Sequence, residues 1–345
     1  MGYINEICTY TPKNKVEREE LANFSEAWLP DSHELQEKLL RIAASTGVKT
    51  RYFAISPLQI SQLKGLQQRA ETFTKLGTEI LLKNLNELLE KSGINPKDIG
   101  VFISTSCSLP SIPSIDVNVI DKLELPRTIP RLPIFQHGCS GGVFGIGLAE
   151  KLSRSLQKPV LLSSLELCSL VFQPNSHEDV QLVAASLFAD GAASLFISNE
   201  PGKLEILDSM SYLIEESSHL MGYDITDGGF HLLLDRRLPD LLLKKAPQVV
   251  EKFLERHNSN VKDIECWLFH PGSKKILDNL SSCFKLEFNQ CRWSYQVLEN
   301  FGNMSSATII YVLKEFLNDP LRPGGNVLVM GIGPGLTIEL LLCRK

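Results

Sequence analysis

No apolar run in this 345-residue chain is long enough to span a bilayer. The start, MGYINEICTYTPKNKVEREEL, lacks the basic-then-apolar layout of a secretory signal, and Glu6 stands where a myristoylation motif has Ser or Thr. No membrane association is therefore expected. There is no long run of Lys or Arg either, and the formal charge is −5, which argues against a face that neutralises nucleic-acid phosphates. The eight cysteines contain no CxxC pair and no regular disulfide spacing, and the seven histidines complete no zinc pattern. Reduced thiols, a cytoplasmic setting and no bound metal are the expectation.

What remains is an ordinary globular composition, 43% hydrophobic and 22% charged, in a chain able to bury a large core. Helical and apolar strand patterns alternate along it. Residues 66–92 form an amphipathic helix stopped by Gly93, and 98–106 read as a buried strand. Strands follow at 159–167 and 192–199, then a helix at 246–257 and a strand at 265–270. Helices at 273–280 and 304–317 precede closing strands at 324–333 and 336–343. This order fits two α/β halves, 1–200 and 201–345, with no flexible linker between them.

Three stretches carry candidate chemistry. In FQHGCSGGVFGIGLAEKL, Cys139 stands among Gly138, Gly141 and Gly142 at the start of a helix, where unsatisfied N–H groups favour a thiolate. A buried packing cysteine is the competing reading. In CWLFHPGSKKIL, His270 ends an apolar strand, as a satisfied strand-end histidine or as a base at a sheet rim. In LENFGNMSSATIIYVL, Asn303 is either an N-cap or an amide donor to a developing oxyanion. GIGPGL does not suit a dinucleotide, because its spacing is GxGxG and a strand follows it.

Taken in order, GCSGG, HPG and GNMSSA resemble the Cys-His-Asn set of type III polyketide synthases, the chalcone-synthase-like branch of the thiolase-fold condensing enzymes. SCSLPSIPSID (106–116), SLELCSLVF (164–172), SLFADGAAS (186–194), MGYDITDGGFHLLLDRRLP (221–239) and GIGPGLTIE (331–339) resemble further blocks of that family. The resemblance implies an α/β thiolase fold, two similar halves packed into a layered αβαβα core, and a homodimer. It implies that Cys139 accepts an acyl group from a thioester and that His270 keeps its sulfur ionised as a thiolate–imidazolium pair. His270 and Asn303 would stabilise the enolate formed when a malonyl thioester loses carbon dioxide, and a pyrone or resorcinol ring, or release, would end the cycle. A cysteine protease uses the same residue types with Asn orienting His and water reaching the acyl-enzyme. A ketosynthase joining carrier-bound chains and a non-catalytic partner subunit stay open as alternatives.

Further roles follow from the same resemblance. Phe188 and Phe230 match the gate between tunnel and cavity, while Ser108, Cys168, Met221 and Ser305 match cavity positions. Met221 replaces a glycine common in plant chalcone synthases, which narrows the cavity there. Cys107, Ser108, Cys168 and Leu170 would line a channel for a fatty chain. Lys38 and Arg41, in KLLR, match the Lys-x-x-Arg that meets coenzyme A phosphates, although Ser45 takes the place of a third cation. The substrates implied are acyl-CoA and malonyl-CoA. An acyl carrier protein, which presents only a phosphopantetheine arm, would need less of that cluster.

Overall fold

The computed structural model describes every residue except Asp31, Asn175, His177, Asp227 and Gly228. The N-terminal half runs β1 (Gly2–Tyr10), β2 (Asn14–Glu17), α1 (Leu21–Trp28), α2 (His33–Ser45), β3 (Thr50–Phe53), α3 (Pro57–Gln62), α4 (Gly65–Ser92), β4 (Val101–Thr105), α5 (Val117–Ile120), β5 (Arg131–Ile134), α6 (Gly141–Leu156), β6 (Val160–Leu167), α7 (Asp179–Leu187) and β7 (Asp190–Ser198). The rest runs β8 (Leu204–Leu213), β9 (Met221–Thr226), β10 (Gly229–Leu234), α8 (Leu238–Glu255), β11 (Cys266–Phe269), α9 (Lys274–Cys283), α10 (Phe288–Phe301), α11 (Thr308–Asn318), β12 (Asn326–Gly333) and β13 (Thr337–Arg344).

Nine strands follow the order β11-β12-β13-β8-β1-β7-β6-β4-β5. The seam between the halves is narrow: β1 pairs with β8 through only Gly2, Tyr3 and Ile4. The strands fold around two inner helices, α6 and α11. Side-chain alternation makes the layers. On β12, Val327 and Val329 face the inner core with α6 and α11, whereas Leu328 and Met330 face an outer core with α8 and α9. On β6, Val160 and Leu162 point inward and Leu161 and Leu165 pack toward α4. Strands buried on both faces therefore read as continuous apolar runs, and the result is a thiolase-type αβαβα stack.

Several boundaries depart from the sequence reading. The helix expected at 246–257 begins at Leu238, because Leu238 and Leu242 are buried, and it carries Pro247 inside. The amphipathic helix α10 and strands β8 to β10 were not anticipated. The helix expected from 304 begins with a 3-10 turn, Ser305–Ala307, before α11. Likewise, Cys139 lies in the 3-10 turn Gly138–Ser140 just ahead of α6. Within the expected segment 221–239, residues 227 and 228 lie outside the described residues. Among the described residues no helix is long and apolar enough to cross a membrane.

The inner helices meet where their glycine and serine turns touch. A Cβ on Gly142 would stand 2.3 Å from the Ser306 carbonyl oxygen and 2.6 Å from Ile309. Gly142→Ala should therefore force the two turns apart and destabilise the protein by about 1–3 kcal/mol, measured by urea unfolding. Unchanged stability together with unchanged reactivity of Cys139 would refute this account of the contact.

Candidate active site

Three side chains from separate elements converge on one cavity of about 320 Å³: Cys139, His270 and Asn303. Cys139 is half-buried by area, because one side meets the cavity, and Ser305 Oγ lies 3.4 Å from its Sγ as a donor. Burial pushes the thiol up to about 12, against the opposing effect of that hydrogen bond. His270 follows the last residue of β11, and its N–H donates to the Met330 carbonyl at 2.7 Å, which fixes the backbone to β12. It is 1% exposed, burial lowers its imidazole to about 4, and neither ring nitrogen has a partner among the described residues.

Asn303 is not the helix cap that its position suggested. Its Oδ1 accepts from Ser305 N–H at 2.8 Å and from Thr308 Oγ1 at 3.4 Å, and its Nδ2 donates to the Gly272 carbonyl at 3.2 Å. One amide proton is left for the cavity. The backbone is pinned as well, since Asn303 N–H donates to Leu187 O at 3.0 Å and Ala189 N–H to Asn303 O at 2.9 Å. The first bond explains why the gate candidate Phe188 lies beside the amide, bridged to Asn303.

The expected thiolate–imidazolium pair would place two opposite charges in a buried cavity. Burial opposes each charge taken separately, raising the thiol and lowering the imidazole. Moving one proton from sulfur to ring keeps the pair's net charge at zero, and an incoming thioester can draw that transfer.

The cavity holds Phe188, Phe230, Met221 and Ser305 as expected, and Pro334 of the GIGPGL turn closes one side. Two cavity candidates are displaced. Ser108 is fully buried behind the wall, donating to Glu166 Oε2 at 2.5 Å, and Cys168 is buried outside the lining. Leu170 packs in the outer core beside α4, so of the four channel residues only Cys107 reaches the cavity. Both residues lie in the loop that follows β4, where Cys107 reaches the cavity and Ser108 turns to Glu166. Lys38 and Arg41 stand outside on α2, where Lys38 pairs with Asp179 at 2.5 Å and Arg41 with Glu37 at 3.6 Å.

Glu166 was missed. It sits at 0% exposure within the all-buried strand β6 and accepts from Ser108 Oγ and Ser306 Oγ, both at 2.5 Å, and from Cys107 N–H. Burial raises its carboxyl above the usual range. It ties β4, β6 and the Ser306 turn together behind the cavity wall. Its signal was available, because a lone carboxylate in the apolar run VLLSSLEL must have dedicated partners. No cluster of three metal-ligating side chains occurs among the described residues.

Comparison with known proteins agrees with this geometry. A family model described as FAE1/type III polyketide synthase-like protein matches residues 3–207, and one described as chalcone and stilbene synthases, C-terminal domain, matches 205–345. A putative chalcone synthase of Bacillus subtilis is 30% identical over 99% of this chain and 98% of its own length. A phloroglucinol synthase of Pseudomonas fluorescens is 28% identical, covering 95% of each. The crystal structure of 1,3,6,8-tetrahydroxynaphthalene synthase from Streptomyces coelicolor superposes with a TM-score of 0.93 at 26% identity, over 99% of this chain and 98% of that one.

The buried imidazole makes stability depend on pH. Its folded value of about 4 lies below the ordinary 6.5, so between these the unfolded chain binds the extra proton. The stabilisation is complete above about pH 6.5 and is lost as pH falls toward 4. His270→Gln should flatten that part of the profile when urea unfolding is compared at neutral and mildly acidic pH; identical profiles would contradict the burial argument.

Proposed function

The chain belongs to the FAE1/type III polyketide synthase-like family, and we propose that Cys139, His270 and Asn303 carry its decarboxylative condensation. The observation that bears this reading is their convergence on one cavity with no charged side chain in its lining among the described residues. As a type III polyketide synthase-like condensing enzyme it acts on coenzyme A thioesters and uses no resident cofactor.

In the proposed cycle Cys139 passes its proton to His270, and its sulfur attacks the starter thioester carbonyl. Coenzyme A leaves as the thiol, taking that proton. Malonyl thioester then binds with its carbonyl oxygen toward the His270 ring and the free Asn303 N–H. As the carbon–carboxylate bond breaks, the electron pair moves into an enolate whose oxygen those donors stabilise. The enolate carbon attacks acyl-Cys139 and the sulfur departs, so the chain grows by two carbons. Neutral donors suit this step, because a strong acid nearby would quench the carbanion. The chain ends as a pyrone or resorcinol, or is released; the relatives named for phloroglucinol and tetrahydroxynaphthalene synthesis make aromatic rings by their names.

A homodimer is part of the reading. Edge strand β5 has an unpaired side, and a groove of about 540 Å³ beside it is lined by Ile112, whose side chain is fully exposed. A second copy covering this face would remove both liabilities. Ile112→Glu should shift the protein toward monomer in light scattering, and an unchanged mass would argue against this face. The eight cysteines are free, in keeping with a reducing, cytoplasmic setting.

Incubation with acyl thioesters should add one acyl mass to the peptide bearing Cys139, and Cys139→Ala should abolish it. Asn303→Ala should leave loading intact while slowing malonyl decarboxylation about 10²-fold. Absence of any adduct over a panel of short, aromatic and long-chain thioesters would overturn the assignment.

A further inference from the structure

The cavity lining includes Val183 and Leu187 of α7, Leu232 and Leu234 of β10, and Ser273 and Ile276 around the start of α9. Two charged positions follow directly from those walls. Asp179, the first residue of α7, lies one helical turn before Val183. Arg236 lies two residues beyond Leu234 in the turn to α8. Lys38 of α2 reaches the same carboxylate: its Nζ is 2.5 Å from Asp179 Oδ1, and the Arg236 guanidinium is 3.9 Å from Oδ2. Arg41 and Ser45 share the helical face of Lys38. That face offers two cations and, at its third position, an uncharged hydroxyl.

We infer that Arg236 supplies the missing cation, so that the phosphates of a coenzyme A thioester are gripped between α2 and the β10–α8 turn. The inference rests on the condensing reading above and names the residue that recognises the carrier's phosphates. Its neighbours are less suited. Arg237 is held by Asp235 through two hydrogen bonds of 2.8 and 2.9 Å, and Lys274 by Asp278 at 2.7 Å. Arg236 is 94% exposed on its side chain and only loosely paired. It can turn to a phosphate while Asp179 retains Lys38. A guanidinium also matches phosphate oxygens through a two-pronged donor geometry that an ammonium lacks.

The test compares full-length wild type, Arg236→Ala, Arg236→Lys and the control Arg237→Ala. Each is assayed with coenzyme A thioesters and with the same acyl and malonyl groups on pantetheine, which carries no phosphate. Arg236→Ala should raise KM for the coenzyme A thioesters about fivefold with kcat unchanged, an effect of the order of one exposed ion pair. KM for the pantetheine thioesters should not move, Arg236→Lys should recover part of the loss, and Arg237→Ala should behave as wild type. High ionic strength should erase the difference. An unchanged KM for coenzyme A thioesters, or an equal rise with pantetheine thioesters, overturns the inference while wild-type turnover leaves the condensing reading standing. If wild type turns over neither class, the condensing reading fails and the inference falls with it.

Discussion

The site depends on one close approach: the first turn of α6 against the Ser306 turn, with no side chain between them at Gly142. Cys139 lies three residues before Gly142, and Asn303 three residues before Ser306. Bringing the two turns into contact therefore brings the sulfur and the carboxamide to the same cavity wall. Glu166 holds the junction from behind, accepting from the Ser306 hydroxyl and from the end of β4. His270 arrives independently, fixed to β12 by its own backbone bond. The geometry is thus set by the packing of three elements and does not rely on direct hydrogen bonds within the triad.

That arrangement explains how a buried site serves a reaction that creates a carbanion. No Asp, Glu, Lys or Arg lines the cavity among the described residues. The nearest carboxyl, Glu166, has its oxygens occupied by four donor groups, Cys107 N–H, Ser108 Oγ, Ser306 Oγ and Ser306 N–H. Tyr223, which does line the cavity, is held far from ionising by burial. Besides the imidazole and the carboxamide, the polar side chains on the lining include Gln136, Ser273, Ser305 and Tyr223, none of which carries a formal charge. In the proposed step, low polarity would strengthen the hold of the imidazole and the carboxamide on an enolate oxygen and offer little acid to the adjacent carbon.

Much of this was legible in the sequence, for identifiable reasons. Strands buried on both faces give apolar runs such as VLLSSLEL and NVLVMGIG, so β6 and β12 were found almost to the residue. The 28-residue helix α4 stops where Gly93 turns left-handed, φ +65, as its position suggested. Cys139, His270 and Asn303 were readable because each stands in a glycine- or proline-marked turn at an element's end. The extent of α8 was obscured by Pro247, and the twisted strands β8 to β10 have mixed, half-exposed patterns that no simple period detects. Ser108 and Cys107 are neighbours in the loop after β4, and the course of that loop, which no strand period predicts, sends one to Glu166 and the other to the cavity. Asn303 as a cap failed because a 3-10 turn separates it from α11, a distinction made by backbone geometry alone.

The division between an apolar interior and a charged mouth has a consequence for chain length. A thioester gripped by its phosphates outside the opening has its reactive carbonyl delivered at a depth fixed by the pantetheine arm. The position of the malonyl carbon is then the same in every round, whatever the length of chain already on Cys139. Growth would then be limited by the volume that Met221, Phe188, Phe230 and their neighbours leave around the sulfur. Recognition of the carrier and selection of the product are consequently separable. On the proposed reading, charges on α2 and in the β10–α8 turn would act on binding of every thioester alike, whereas cavity side chains would decide which acyl groups fit and when the chain must fold back on itself.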